Sequence, residues 1–184
     1  KIPSFEEINR QISIVEFGDR SGALVQMLAR IADSQVFDWG MAVYYKERGV
    51  DARAKEAFAA AAAGMADVGE ALHRLADTEE QIRRMMPALP ERTKEMLHAC
   101  LVAARGVELF QKTGALIVAA AERKEPAVTV DGVKLAAELE EWFLFYKEVW
   151  RSVSRESELY RIGEVVFWYA DLLRGQASFE IEEE

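Results

Sequence analysis

Residues 135–174 form the apolar and aromatic stretch that most constrains the fold, and they hold all but one of the four tryptophans. Large apolar residues recur there at spacings of three and four, on either side of a break at residues 152–157, which is the pattern of two amphipathic helices. These positions are Leu139, Trp142, Phe143, Tyr146, Val149, Trp150 and Val153, followed by Leu159, Ile162, Val166, Tyr169 and Leu173. Because such stripes have to be buried, the stretch predicts two packed helices.

The second of these helices is apolar nearly all the way round between Val165 and Tyr169. Such a helix is either central or covered on a second side. Val165, Phe167 and Trp168 are therefore candidate interface residues, which another domain or a second copy of the chain would cover. Ser154 is the predicted N-cap of this helix, with Ser157 as the alternative.

The first half of the chain also has helical patterns. Ser4, followed three residues later by Glu7, predicts a capped helix that ends near Gly18, with a short apolar face formed by Ile8, Ile12 and Val15. A second helix is expected over residues 21–48, with a possible bend at Gly40. A third contains the alanine-rich residues 57–66, whose small side chains permit close helix packing.

A proline-containing turn at residues 85–90 separates the third helix from a fourth, predicted over Glu91–Glu122. Residues 125–132 are expected to form a loop, because their short β-like run has no partner strand. The chain is therefore predicted to be one all-α domain, residues 1–184, with about six helices arranged as a bundle or a stack of helical hairpins.

Composition excludes some functions. A net charge of −9 argues against a nucleic-acid partner, and no apolar run is long enough to span a bilayer. The lone Cys100 permits no internal disulfide and leaves the compartment open. The opening sequence KIPSFEE, which lacks a methionine, favours a domain taken from a longer polypeptide.

Both histidines of the chain occur in Glu-x-x-His patterns, formed by Glu70 with His73 and by Glu95 with His98. Two such pairs with two further glutamates make the di-metal site of ferritin-like bundles. The extra glutamates could come from Glu16, Glu47, Glu108 or Glu148.

Helix geometry argues against this metal site. In a hairpin that turns at residues 87–90, His73 would lie about 20 Å from the turn and His98 about 14 Å, so the pairs would be offset. A helix break at Asp77 and Thr78, with Thr78 and Gln81 forming a cap, would be needed to reset the spacing. Solvated or core-edge histidines are the favoured interpretation, and no cofactor is predicted.

No other catalytic pattern stands out. The sequence has no glycine-rich phosphate loop and no G-x-S-x-G motif, and Cys100 has no evident histidine partner. The aromatic residues at the carboxyl end could stack on sugar rings, but their helical spacing favours core packing. These residues are Trp142, Tyr146, Trp150, Trp168 and Tyr169.

The carboxyl-terminal pattern also resembles a known family. Trp142, Tyr146 and Trp150 are followed by the segments SRESEL at 154–159 and WYADLLR at 168–174. About the last 45 residues are in this respect similar to the C-terminal helical region of bacterial family 20 glycoside hydrolases, the β-N-acetylhexosaminidases.

The resemblance implies an accessory role. In that family the helical region follows a (β/α)₈ barrel, which uses an adjacent Asp-Glu pair and the acetamide of the substrate. This chain contains no Asp-Glu dipeptide, so no catalytic residue is carried over.

Three functions follow from the sequence. The first is a non-catalytic accessory or interaction domain of a larger, hexosaminidase-like glycan-processing enzyme, with the catalytic domain or a second copy of the chain as partner. The alternatives are a ferritin-like di-metal protein and a free-standing helical protein that dimerises through its last helix.

Overall fold

The computed structural model describes residues 2–48, 56, 63–122 and 126–175, and in this part of the chain all regular structure is helical. The helices are α1 (Phe5–Val15), α2 (Leu24–Asp33), α3 (Trp39–Arg48), α4 (Val68–Met85), α5 (Glu91–Glu122), α6 (Gly132–Val153) and α7 (Leu159–Leu173). The predicted all-α class is confirmed. The helix predicted around residues 57–66 lies largely outside the described residues.

Two hydrophobic cores share the long helix α5. The first core joins the carboxyl half of α5 to α3, α6 and α7, and the second joins its amino half to α2 and α4. Fully buried members of the first core include Phe37, Val68, Leu109, Leu135, Leu139, Val166 and Tyr169. The second core contains Leu24, Ile31, Leu75, Ile82, Leu89, Leu97, Leu101 and Ala104. Since α5 spans both cores, it fixes their relative position.

The single helix predicted over residues 21–48 is wrong, because α2 ends at Asp33 and α3 begins at Trp39. The buried side chain of Gln111 accounts for the break. Its Oε1 accepts hydrogen bonds from the backbone N–H of Val36 (2.7 Å) and Phe37 (3.0 Å), and its Nε2 donates to the carbonyl of Phe37 (3.1 Å). The amide groups of this segment are therefore satisfied without a helix, and the Phe37 side chain enters the first core.

Three predictions about helix ends can be compared with the structure, and one of them is confirmed. The Ser4 and Glu7 capping box is present. Ser154 instead ends α6, and α7 begins after a 3₁₀ turn with no capping side chain. The break proposed at Asp77 and Thr78 is also absent from α4, where the Thr78 hydroxyl donates to the carbonyl of Arg74 (2.8 Å).

Trp142 of α6 packs directly over Gly106 of α5. A Cβ atom added to Gly106 would lie 2.4 Å from Cζ2 of Trp142, so only glycine leaves room for the indole. The indole N–H donates to the carbonyl of Val102 (2.8 Å), one turn earlier on α5. Trp142 is therefore held by both a polar and a packing contact.

Replacing Gly106→Ala is expected to lower the free energy of unfolding by about 1–3 kcal/mol, since the added methyl group would displace a packed ring. Gly69→Ala on α4 is the matched control, because its Cβ would meet Val128 at an ordinary 3.7 Å. The control should be neutral or stabilise by up to about 1 kcal/mol. Chemical denaturation measures both, and equal stability of the two variants would contradict the packing argument.

Candidate interaction surfaces

The α6–α7 hairpin keeps large apolar side chains on its outer side. Phe143 lies against Gly163, where an added Cβ would approach its ring to 3.0 Å, so the two helices pack closely. The ring of Phe167 contacts that of Phe143 edge to face, with centroids 5.7 Å apart, and remains 45% exposed. Leu144 and Tyr160 are each more than half exposed. We call Leu144, Tyr160 and Phe167 the hairpin patch.

The three interface candidates lie at different depths. Val165 is buried in the first core, and Trp168 is partly buried with its ring against Tyr169, at a centroid distance of 4.9 Å. Phe167 is exposed. Of the three side chains, Phe167 is therefore the one most available to a partner.

An aromatic groove runs beside the hairpin. The rings of Trp142, Tyr146 and Trp150 follow one another along α6, with centroids 5.0 and 5.9 Å apart. With Trp39 and Phe110 they line a cavity of about 350 Å³. Sequence reasoning missed Trp39 and Phe110 as neighbours of this row, because α3 and α5 bring them from distant parts of the chain.

The polar atoms of the two indoles in this groove are already used within the fold. Trp142 donates to Val102, and Trp150 donates to the carbonyl of Arg155 at 2.8 Å. Trp142 and Tyr169 are buried, whereas Tyr146 and Trp150 are half-buried. The arrangement therefore fits packing better than a sugar platform, which requires exposed ring faces.

Charged side chains on α4, α5 and α6 form a partly buried network. Arg105 donates to Glu108 (2.5 Å) and to Glu138 (3.2 Å), and Lys112 donates to Glu108 (2.5 Å). Burial raises the pKa of Glu108, but the hydrogen bonds from Lys112 and Arg105 outweigh it and hold that pKa below its usual value. Burial also raises the pKa of Glu79. The ion pair with Arg83 acts in the opposite direction, but the effect of burial is larger, so the pKa lies above its usual value.

The two Glu-x-x-His pairs are not brought together. His73 is exposed and lies 3.6 Å from Asp77, while Glu70 pairs with Arg74. His98 lines a cavity together with Arg83, a residue of α4. Arg83 lies about 15 Å from His73 along that helix. Glu95 is exposed.

The proposed extra ligands do not complete a metal site. Glu108 belongs to the charged network and Glu148 pairs with Arg151, while Glu16 and Glu47 are exposed. Among the residues that the structure describes, no three His, Cys, Asp or Glu side chains are grouped as a metal ion requires. No observation therefore favours the di-metal alternative.

Helix α1 presents its apolar side to solvent. Phe5 and Val15 are 85% and 70% exposed, and Ile8 and Ile12 are 38% and 36% exposed. Their spacing places them on one side of the helix, which we call the α1 stripe. Sequence periodicity predicted this apolar face but not the direction in which it points.

Polar contacts hold the opposite side of α1 to the protein. The buried Ser13 hydroxyl accepts from the backbone N–H of Val25 (3.0 Å) and donates to the carbonyl of Asn9 (2.8 Å). The amide of Asn9 donates to Gln26 (3.0 Å). The side of α1 that faces α2 is therefore largely polar.

Comparison of the chain with family models, with curated proteins and with solved structures gave no match. Among the described helices, none combines the length and hydrophobicity needed to cross a bilayer.

Replacing Glu108→Gln is expected to lower the free energy of unfolding by about 1–2 kcal/mol at pH 7, because two charge-assisted hydrogen bonds are weakened. The folded-state pKa of Glu108 is lowered, so its stabilisation is complete above the unfolded-state pKa and is lost as the pH falls through the folded-state pKa. The difference from the wild type should therefore shrink in acid.

The control for this test is Glu70→Gln, which removes an exposed ion pair with Arg74. It should cost no more than about 0.5 kcal/mol at any pH. Denaturation of the three proteins between pH 3 and 8 makes the comparison. A loss for Glu108→Gln that does not change with pH would show that its charge is not the cause.

Proposed function

We propose that this chain is a non-catalytic accessory domain of a larger, hexosaminidase-like glycan-processing enzyme, and that the hairpin patch packs against the catalytic domain. The exposure of this patch carries the proposal. Phe167, Tyr160 and Leu144 lie on the same hairpin that bears the resemblance to family 20 enzymes. Large exposed apolar side chains grouped on one hairpin commonly mark an interaction site.

The residues that carry the resemblance have architectural contacts in this chain. Tyr169 is fully buried, and its hydroxyl donates to the carbonyl of Ala42 (2.5 Å). Arg174 forms two hydrogen bonds, of 2.6 and 2.7 Å, with Glu140 and so ties the end of α7 to α6. Trp150 holds the turn between the helices through Arg155. These contacts support a role in maintaining the hairpin.

The charge of the patch favours a partner other than a second copy of itself. Glu164 is exposed between Tyr160 and Phe167 on the same side of α7. A two-fold pairing of two patches through α7 would bring the two Glu164 carboxylates close together, and facing like charges oppose association. A surface of different sequence, such as a catalytic domain, avoids this repulsion.

The activity test uses the complete translated product of the gene that encodes these residues. That polypeptide is expected to release 4-nitrophenol from 4-nitrophenyl N-acetyl-β-D-glucosaminide, whereas residues 1–184 alone should not. Hydrolysis by residues 1–184, or a complete product without this activity, would contradict the proposal.

The interface is tested with the double variant Leu144→Ser, Phe167→Ser. It should lower the thermal midpoint of the complete product by several degrees but leave that of residues 1–184 nearly unchanged, because the patch is covered only in the larger protein. Phe145→Ser is the control, since Phe145 is exposed on α6 and lines the cavity that His98 shares with Arg83. Equal effects of the double variant in both proteins would place the patch outside any domain interface.

A further inference from the structure

A second apolar surface, the α1 stripe, has a spacing that suits one particular occupant. Its members follow one another at intervals of three, four and three residues, so the order is the same when read in either direction. When two copies of α1 lie antiparallel, Phe5 therefore faces Val15 of the other copy and Ile8 faces Ile12. We propose that the α1 stripe pairs with the α1 stripe of a second copy of this chain.

The geometry of the helix leaves this surface free for such a pairing. The polar groups of Ser13 and Asn9 are used on the side that faces α2, so a partner need not displace a contact that holds α1 in place. A two-fold interface requires a surface that is complementary to itself, and the symmetric stripe meets that requirement.

Charges near the stripe are compatible with the antiparallel arrangement. Arg10 lies on the side of α1 opposite the stripe, where its side chain approaches Gly22. The acidic residues Glu6 and Glu7 lie in the first turn of α1 and Glu16 follows its last turn. All three stand outside the line of the stripe, whose four members are uncharged, so no charge lies between the paired apolar side chains.

The available area sets the strength of the association. The four residues of the stripe, which are 36–85% exposed, offer roughly 400 Å² of surface on each copy, so a pair would bury about 800 Å², the size of a weak or transient interface. The dimer is therefore weak. It should predominate at about 100 µM chain and dissociate on dilution to about 1 µM.

Sedimentation velocity over this concentration range tests the pairing. The wild-type chain should change from twice the chain mass to the single mass on dilution. The double variant Phe5→Ser, Val15→Ser removes the two most exposed ends of the stripe and should remain monomeric throughout, with unchanged helical circular dichroism. The control Val133→Ser, Val153→Ser removes exposed valines from α6 and should dimerise like the wild type.

Cysteine cross-linking tests the orientation. In a Cys100→Ser background, chains with Ile8→Cys and chains with Ile12→Cys should form a disulfide with each other several-fold faster than with themselves. Faster pairing of like with like would indicate a parallel arrangement and overturn the antiparallel pairing.

A wild-type chain that is monomeric at 100 µM, or a dimer that survives Phe5→Ser, Val15→Ser, would overturn the inference. Neither result bears on the accessory role, because the nitrophenyl glycoside assay and the hairpin-patch variants test that role separately.

Discussion

The contact between Trp142 and Gly106 determines how the carboxyl half of the chain is assembled. It lets the Trp142 ring of α6 lie directly on the backbone of α5, and the indole is fixed there by the carbonyl of Val102. The rest of the aromatic row then follows along α6 to Trp150, whose N–H holds the turn that leads into α7. In α7, Tyr169 reaches across the core to Ala42 and anchors α3. These contacts connect α5 to α6, α6 to α7 and α7 to α3. The glycine at position 106 therefore matters for the placement of three further helices.

The sequence predicted those elements whose limits depend on local chemistry. The period of apolar residues and the prolines near residue 90 placed α5 at Glu91–Glu122, and the Ser4 and Glu7 pair placed the start of α1. The break between α2 and α3 escaped prediction because its cause, Gln111, is more than 70 residues away in the chain. The start of α7 was misassigned for a related reason. Its turn is held by the Trp150 indole and not by a serine cap.

The candidate surfaces could be predicted only in part. Periodicity identified the apolar run from Val165 to Tyr169, but it could not say which members α6 would cover. Phe143 packs at Gly163 and contacts the ring of Phe167 on the same side of α7 but leaves it 45% exposed, whereas Val165 lies on the other side, inside the first core. Likewise, the α1 stripe was visible as a pattern. Its outward direction depends on the hydrogen bond that Ser13 accepts from Val25 and the one that Asn9 donates to Gln26, which no local pattern encodes.

The two exposed apolar surfaces differ in how firmly the fold supports them. The hairpin patch lies over the tightly packed first core, so its shape is set before any partner arrives. Helix α1 is attached to α2 largely through hydrogen bonds, each of which contributes a net stability of only about 1 kcal/mol. Covering the α1 stripe would therefore add apolar burial to a helix that polar contacts hold in place and would stabilise it. Because the patch lies on the first core and α1 on α2, whose apolar side chains belong to the second, a partner could bind at either surface without rearranging the core beneath the other.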